Sequence, residues 1–190
     1  MEPISTIAGR VTHLDRANVD TDQIMPKQFL KRVERTGFGE FLFFDWAKEP
    51  GWSLPANPIL VAGENFGIGS SREHAPWGLQ DYGFSAIVAP SFSDIFYSNC
   101  TKIGLLPVVL SDEDCRALAR CGEGEIDLEA QEVRFEGRSA PFTIDHETRR
   151  RLLAGLDDIG VTLADEGRIT AYESAAEGDG SWRRVATTAL

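Results

Sequence analysis

The most informative stretch of the sequence is Gly63-Glu-Asn-Phe-Gly-Ile-Gly-Ser-Ser-Arg-Glu-His74. It follows the apolar run Ile59–Ala62, which predicts a strand, and it leads into a helix predicted over Arg72–Tyr82. Backbone N–H groups and the positive end of a helix dipole, equivalent to about half a charge, face a corner of this kind. The stretch therefore predicts a strand-to-helix turn that holds an anion or a developing negative charge.

Three glycines, Gly63, Gly67 and Gly69, leave the backbone of this turn bare. We interpret them as room for close contact by a ligand rather than as a requirement of packing. A phosphate-binding P-loop would need a lysine after its last glycine, and a dinucleotide fingerprint would need the spacing G-x-G-x-x-G. Neither pattern is present in the stretch, so the sequence argues against a nucleotide as the ligand.

A structural alternative for the same turn is a capping box, Ser70-x-x-Glu73. In a capping box, Ser70 accepts a hydrogen bond from a backbone N–H and Glu73 reaches back to the helix start. Pro76 counts against a helix that begins at Ser70, because a proline inside a helix costs up to about 3 kcal/mol. We expect any cap to be made through Ser71 or Glu73.

A second polar cluster is Asn18-Val-Asp-Thr-Asp-Gln-Ile-Met-Pro26. Asp20 and Asp22 lie two residues apart, so their side chains would face the same side of an extended segment. One interpretation is a carboxylate that orients a basic group in a site. The other is an Asx-type turn that ends a strand. A third segment, Pro90–Cys100, predicts a loop and a capped helix that packs against the core.

The composition indicates a folded globular protein, since 42% of the residues are hydrophobic and 26% are charged. The net charge of −11 at pH 7 argues against binding to nucleic acid or to an anionic membrane surface. No apolar run approaches the roughly 20 residues that cross a bilayer. The start, Met1-Glu-Pro-Ile-Ser, lacks the features of a secretory signal, and we expect a cytoplasmic protein.

The three cysteines, Cys100, Cys115 and Cys121, form no C-x-x-C pair, and the three histidines are scattered. This pattern gives little support to a disulfide framework or to a zinc or iron–sulfur site made by this chain alone. We expect buried or inert thiols and no metal ligands in this chain.

Strands and helices alternate through the first two thirds of the chain. The predicted strands are Gly9–Leu14, Ile59–Ala62, Ser85–Ala89 and Leu105–Leu110, and the predicted helices are Arg72–Tyr82, Asp94–Cys100 and Ser111–Cys121. This alternation predicts a βαβ core with at least partly parallel strands.

The last third predicts an antiparallel addition followed by helices. Its predicted elements are the strands Ile126–Leu128, Glu132–Phe135 and Phe142–Ile144, the helix Glu147–Leu153 capped by Asp145, and a last helix Asp165–Ser174. The length of 190 residues fits one domain. Residues from about 177 to 190 are polar and are expected to form a flexible tail.

Three segments, Asn18–Pro26, Gly63–Gly83 and Ala89–Cys100, resemble the small subunits of 3-isopropylmalate dehydratase, which belong to the aconitase superfamily. The likeness runs over most of the chain, from residue 9 to 163 and again from 169 to 173. The motif Gly-x-Gly-Ser-Ser-Arg-Glu-His is specific to the superfamily. The runs Asp-Thr-Asp-x-Ile and Glu-His-Ala-Pro-Trp are narrower and point to the bacterial small subunit.

The resemblance implies an α/β fold, the swivelling β/β/α domain of the aconitase type, with a mixed sheet and flanking helices over residues 1–190. It implies a 4Fe–4S cluster carried by a separate large subunit and no cofactor bound by this chain alone. The implied reaction is a dehydration and rehydration that interconverts 2-isopropylmalate and 3-isopropylmalate through 2-isopropylmaleate, in leucine biosynthesis. The implied partners are the large subunit and a dicarboxylate substrate.

The resemblance also implies roles for single residues. Ser70 takes the place of the proton-abstracting base, and its alkoxide would need stabilisation by oriented amides and cations. Gly69, Ser71 and Arg72 occupy the matching positions and are also the expected substrate-binding residues, and the planar fork of Arg72 suits a substrate carboxylate. Asp22 matches an aspartate that orients a histidine of the large chain.

Substrate choice rests on a basic loop after Pro26. Phe29 and Leu30 are candidates for an apolar wall around an isopropyl group, with core packing as the alternative. The same loop carries the basic residues Lys31, Arg32 and Arg35. They are consistent with a substrate that has an additional carboxylate, or with a solvated basic face.

Two other functions share the fold. One is a related hydro-lyase subunit acting on citraconate/methylmalate-type acids or on homoaconitate. The other is a non-catalytic, regulatory or RNA-associated binding module. The charge of −11 speaks against RNA, and the presence of Ser70 together with Arg72 favours catalysis.

Overall fold

The computed structural model describes residues 1–31 and 36–179. The chain divides into two compact units, Met1–Gly155 and Leu156–Leu190. Arg32, Arg35 and the end of the expected tail, from residue 180 onward, lie outside the described residues. The assignment of residues 1–190 to one domain stays a prediction.

A seven-stranded mixed sheet forms the centre of the first unit. Its strands are β1 (Thr6–Leu14), β2 (Ile59–Ala62), β3 (Ala86–Ala89), β4 (Leu106–Val109), β5 (Glu123–Asp127), β6 (Glu132–Phe135) and β7 (Arg138–Pro141). Their order is β4-β3-β2-β1-β5-β6-β7. The strands from β1 to β4 pair in parallel, and β1, β5, β6 and β7 pair antiparallel. The predicted βαβ core and the α/β fold class are confirmed.

The described part of this unit contains five α-helices beside the sheet: α1 (Thr21–Ile24), α2 (His74–Tyr82), α3 (Asp94–Ile103), α4 (Asp112–Cys121) and α5 (His146–Ala154). Short 3-10 turns lie at Lys27–Phe29, Gly39–Phe41 and Trp46–Lys48. The predicted cap at Asp145 is confirmed, since its side chain accepts a hydrogen bond from the N–H group of Thr148 (2.9 Å). Ser111 caps α4 in the same way, accepting from the N–H group of Asp114 (3.1 Å).

The third antiparallel strand was placed wrongly by the sequence. Its apolar residues suggested Phe142–Ile144, but β7 is Arg138–Pro141. Phe135 pairs with Arg138 across a two-residue turn in which Glu136 and Gly137 have φ of +49° and +72°. Such a tight turn starts the next strand at once, so the ladder ends before Phe142 is reached.

The second unit is described over residues 156–179 and contains two helices. They are α6 (Asp158–Ala164), capped by Asp157, and α7 (Glu166–Asp179). The sequence predicted a single helix, Asp165–Ser174, so α6 was missed and the end of α7 lies beyond the predicted end.

Buried side chains cover both faces of the parallel half of the sheet. Ile59 and Val61 pack on one face with Leu118 of α4. Leu60 and Ile87 pack on the other with α2 and α3. All four residues of β2 and of β3 are buried, as expected for central parallel strands. The loops that leave the carboxyl ends of these strands are therefore held on a rigid base.

Within residues 1–31 and 36–179, no helix is both long enough and apolar enough to span a lipid bilayer.

Candidate active site

The three polar segments meet at the carboxyl ends of β1, β2 and β3. The loop after β2 is bonded to the loop after β1, with Gly63 N–H donating to Arg16 O (3.1 Å) and Gly67 N–H to Val19 O (2.8 Å). Phe66 N–H donates to Ser91 O after β3 (3.0 Å). This edge of an open parallel sheet is where α/β proteins bind ligands.

A small side-chain network ties the same loops together. Asn65 Nδ2 donates to Asn18 Oδ1 (2.9 Å), and Ser91 Oγ donates to Asn65 Oδ1 (3.2 Å). Asn18 and Asn65 both have φ of +55°, a conformation that asparagine tolerates better than most residues. The loop that carries Ser70 is thereby fixed relative to both neighbours.

Asp20 and Asp22 have different environments. Asp20 caps α1, because its carboxylate accepts from Gln23 N–H (2.8 Å) while Asp20 N–H donates to Gln23 Oε1 (2.9 Å). Asp22 lies in the first turn of α1, so the extended segment assumed from the sequence is not present. The turn interpretation holds for Asp20, and Asp22 is left available for an ion pair.

The capping box predicted as an alternative at Ser70 is not formed. The helix α2 begins at His74, and Glu73 stands at its N-cap position without a side-chain capping bond. Pro76 therefore falls in the first turn, where the missing N–H is tolerated. The expectation that Ser71 or Glu73 caps the helix was wrong.

Ser70 is half-buried and contacts Thr21, the first residue of α1. Ser70 N–H donates to Thr21 Oγ1 (3.2 Å), and the Thr21 hydroxyl lies 3.3 Å from Ser70 Oγ. A helix start and a glycine-rich loop thus hold the serine side chain between them.

Arg72 forms an ion pair with Asp22 through its Nη1 atom. The guanidinium side chain is 22% exposed, and Nη1 is buried without a hydrogen-bond partner among the described residues. The ion pair is not also a hydrogen bond, because the N–H groups of Nη1 do not point at the Asp22 oxygen. Burying a donor without an acceptor is unfavourable, so this nitrogen is suited to a ligand oxygen.

The backbone of the same turn carries further donors. No described residue accepts a hydrogen bond from the N–H groups of Gly69, Ser71 or Arg72. The Ser71 carbonyl is held by Asn99 Nδ2 (3.3 Å), and Asn99 is only 8% exposed. The turn therefore presents several free donors on a fixed backbone.

Thr21 and Asn99 were missed as site residues by the sequence reasoning, although both lie in segments that it marked. The burial of a polar side chain is a tertiary property, and neither residue carries a local pattern that distinguishes it from a surface threonine or asparagine.

The glycines have different roles from the one inferred. A Cβ on Gly63 would lie 2.6 Å from Arg16 O, and one on Gly67 would lie 2.1 Å from the Phe96 ring. These two glycines are required by packing, so the interpretation as ligand space was wrong for them. At Gly69 the nearest atom would be 3.4 Å away, so of the three glycines this one leaves the approach open.

His74 packs between aromatic rings at the start of α2. Its ring centroid lies 5.2 Å from that of Phe38 and 4.7 Å from that of Trp77. Burial lowers the pKa of His74, Glu73 opposes this, and the Arg72 cation lowers it further. A neutral imidazole beside Arg72 adds no second positive charge to the site.

Phe29 lies in an aromatic cluster. Its ring stacks on Phe41 with centroids 4.2 Å apart and meets the edge of Phe44 at 4.9 Å. Leu30 is partly buried against the same core. These contacts match the packing alternative, and the role of Phe29 and Leu30 as a substrate wall stays a prediction. Lys31 is exposed.

The described residues do not fit an iron–sulfur cluster. They contain no group of three histidine, cysteine, aspartate or glutamate side chains that converges on one metal position. Cys100 and Cys115 are buried. Burial raises the pKa of Cys100 well above its usual value and that of Cys115 to about 12, whereas a ligand must be a thiolate.

The site around Ser70 is open. A cavity of about 370 Å³ at the end of β2 is lined by His13, Gly63 and Arg116 among others, but not by Ser70 or Arg72. Gly69 and Ser71 are exposed. Chemistry that develops negative charge needs water to be excluded, and a second surface would have to provide that.

Comparison with known proteins gives one consistent family. A family model described as the aconitase C-terminal domain matches residues 46–113. The 3-isopropylmalate dehydratase small subunit of Geobacillus kaustophilus is 53% identical over 91% of this chain and 96% of its own length. That of Rhodopirellula baltica is 50% identical over 92% and 99%.

The fold has a solved counterpart. The crystal structure of a 3-isopropylmalate dehydratase from Methanocaldococcus jannaschii matches with a TM-score of 0.70 and 26% identity. The match covers 88% of this chain and 99% of that one. Identity near 50% over nearly whole chains, together with this fold, is enough to assign the family. The chain belongs to the family of 3-isopropylmalate dehydratase small subunits.

Proposed function

We propose that this chain supplies one half of the active site of a 3-isopropylmalate dehydratase, which interconverts 2-isopropylmalate and 3-isopropylmalate through 2-isopropylmaleate. The observation that carries the proposal is the turn from Gly69 to Arg72. Within these four residues lie a serine hydroxyl, a buried guanidinium nitrogen without a hydrogen-bond partner and backbone N–H groups without a described acceptor. This arrangement suits a dicarboxylate whose C–H bond must be broken.

Ser70 is the group we assign to proton transfer. The proton on the carbon next to a carboxylate is a weak acid, and its removal leaves an anion that must be stabilised as it forms. Ser70 Oγ takes this proton as an alkoxide, which the N–H groups of Gly69 and Ser71 stabilise. During rehydration the protonated Ser70 gives a proton back to the substrate carbon.

Arg72 is the group we assign to substrate binding. Its buried Nη1 has a free N–H, and a guanidinium binds a carboxylate best with two parallel hydrogen bonds. Asp22 forms its ion pair with the same Nη1 atom and holds the guanidinium in place. Any role of Asp22 in orienting a histidine of the large subunit belongs to the assembled enzyme. Phe29 and Leu30 remain our candidates for the wall around the isopropyl group.

The partner in this proposal is the large subunit of the enzyme. The relatives are named small subunits, which implies a larger chain. The relationship to the aconitase family implies an iron–sulfur cluster, and the described residues here do not fit one. We therefore place the 4Fe–4S cluster, and the departure of the substrate hydroxyl, on the large subunit.

The purified chain is expected to give no isomerisation alone and full isomerisation once the cluster-bearing large subunit is added without oxygen. Formation of the alkene is followed by its ultraviolet absorbance, starting from 2-isopropylmalate. Turnover by the isolated chain would contradict the proposal. A large subunit that is active alone would contradict it as well.

The same assay tests the substrate. Rates on malates that carry methyl, isopropyl and carboxymethyl groups are compared in the assembled enzyme. A burial difference of two methylene-sized groups predicts about a tenfold or greater preference for isopropyl. A preference for the methyl or the carboxylate-bearing acid would assign the chain to a related hydro-lyase instead.

Arg72→Lys is expected to lower kcat/KM by about 10- to 100-fold, mainly through KM. The lysine keeps the charge but loses the two parallel donors, which are worth roughly 1.5–3 kcal/mol to a charged partner. Arg116→Lys is the matched control, because the Arg116 side chain is 69% exposed and forms an ion pair with Asp112 on its own helix. Equal kinetics for the two variants would mean that Arg72 does not bind the substrate.

A further inference from the structure

We propose that Thr21 is a positioning residue whose hydroxyl stabilises the deprotonated form of Ser70. The inference rests on the proposed role of Ser70 as the base. Thr21 is 1% exposed, and buried threonines are uncommon enough to need a reason. Among the described residues, the hydroxyl of Thr21 forms its hydrogen bonds with atoms of Ser70 alone.

One oxygen atom reaches three atoms of the serine. Thr21 Oγ1 lies 3.2 Å from Ser70 N, 3.3 Å from Ser70 Oγ and 3.4 Å from Ser70 O. A hydroxyl has one proton and two lone pairs. The Ser70 N–H occupies a lone pair, so the single proton of Thr21 has two acceptors to choose between, the serine hydroxyl oxygen and the serine carbonyl.

The charge on Ser70 decides that choice. An alkoxide accepts a hydrogen bond about twice as strongly as a neutral oxygen, so the Thr21 proton points to Oγ when Ser70 is deprotonated. When Ser70 carries the substrate proton, the carbonyl competes on nearly equal terms. The bond is thus stronger in the form that attacks the C–H group, and it favours that form.

The surroundings keep this arrangement fixed. Thr21 N–H donates to Ile68 O (2.9 Å) and Met25 N–H donates to Thr21 O (2.9 Å), so the backbone is held on both sides. At 1% exposure no bulk water competes for the hydroxyl.

The test uses the enzyme assembled with its large subunit. Thr21→Val keeps the branched shape and removes the hydroxyl, and we expect it to lower kcat by about 100-fold with KM changed by less than about threefold. Thr21→Ser keeps the hydroxyl and is expected to restore kcat to within about threefold of the parent. Should the valine variant fail to assemble, Thr21→Ala takes its place with the same expected split.

Thr12→Val is the matched control. Thr12 is also buried, at 2% exposure, and its hydroxyl donates to Pro55 O (2.6 Å) and accepts from Asn57 Nδ2 (2.9 Å). We expect its loss to lower the melting temperature but not kcat. The inference fails if Thr21→Val keeps parental kcat, or if serine does not restore it. A parent enzyme without isomerase activity would instead contradict the proposed function.

Discussion

Ser70→Ala is expected to lower kcat of the assembled enzyme by about 1,000-fold, with little change in KM. A positioned base contributes roughly 100- to 10,000-fold to proton transfer, and alanine leaves no atom that can take the proton. Ser71→Ala would not substitute for this experiment, because the Ser71 side chain is expected to bind the substrate, and its backbone N–H, which we assign to the alkoxide, would remain. The measurement is the initial rate of alkene formation at saturating 2-isopropylmalate, and the proton exchange at the reacting carbon should fall in parallel.

The competing explanation for Ser70 is a stabilising role. The structure excludes helix capping as that role, since α2 begins at His74 and has no side-chain capping bond. Ser70→Ala should therefore change the free energy of unfolding by less than about 1 kcal/mol, as should the control Ser98→Ala on the exposed side of α3. A lower melting temperature with preserved turnover would assign Ser70 to stability instead.

The parallel half of the sheet could be predicted because each strand is a short, fully apolar run. The runs at Ile59–Ala62 and Ala86–Ala89 are buried on both faces, a pattern typical of central parallel strands. Helix starts at Ser111 and Asp145 were equally readable, because an N-cap is a local interaction between residues three apart. Local signals were therefore sufficient for this part of the fold.

The antiparallel part and the second unit gave weaker local signals. The strand β7 contains arginine, serine and proline, so its position depends on the register set by the turn at Glu136 and Gly137. The helix α6 has seven residues and includes Gly160, which lowers its intrinsic helix preference. Short elements like these are specified by pairing and packing more than by periodicity.

The sequence named members of the candidate site but not the contacts between them. Ser70, Arg72 and Asp22 were chosen from the sequence through a family resemblance, and the structure brings them to one edge of the sheet. The ion pair between Arg72 and Asp22 and the contact of Thr21 with Ser70 join loops that are far apart in the chain. Contacts at that separation depend on the strand order, which no local pattern contains.

Gly67→Ala is expected to lower the free energy of unfolding by about 3 kcal/mol or more. Two terms add at this position. Gly67 has φ of +77°, where an alanine is strained by roughly 1–2 kcal/mol. The new Cβ would also lie 2.1 Å from the ring of Phe96, which is 1% exposed and packs against Phe66 and Phe92. That ring cannot move without disturbing the core, and overpacking of this kind costs about 1–3 kcal/mol.

Gly51→Ala separates the two terms. Gly51 has nearly the same φ, +79°, but a Cβ added there would have no atom within 4 Å, so its loss of stability measures the backbone strain alone. Urea unfolding of both variants and of the parent chain gives the difference, which we expect to be at least about 1 kcal/mol larger for Gly67. Equal losses would mean that Phe96 yields and that packing does not require this glycine. A stable Gly67→Ala chain with raised KM would restore the interpretation of Gly67 as space for the ligand, because then the missing Cβ would matter to the substrate and not to the core.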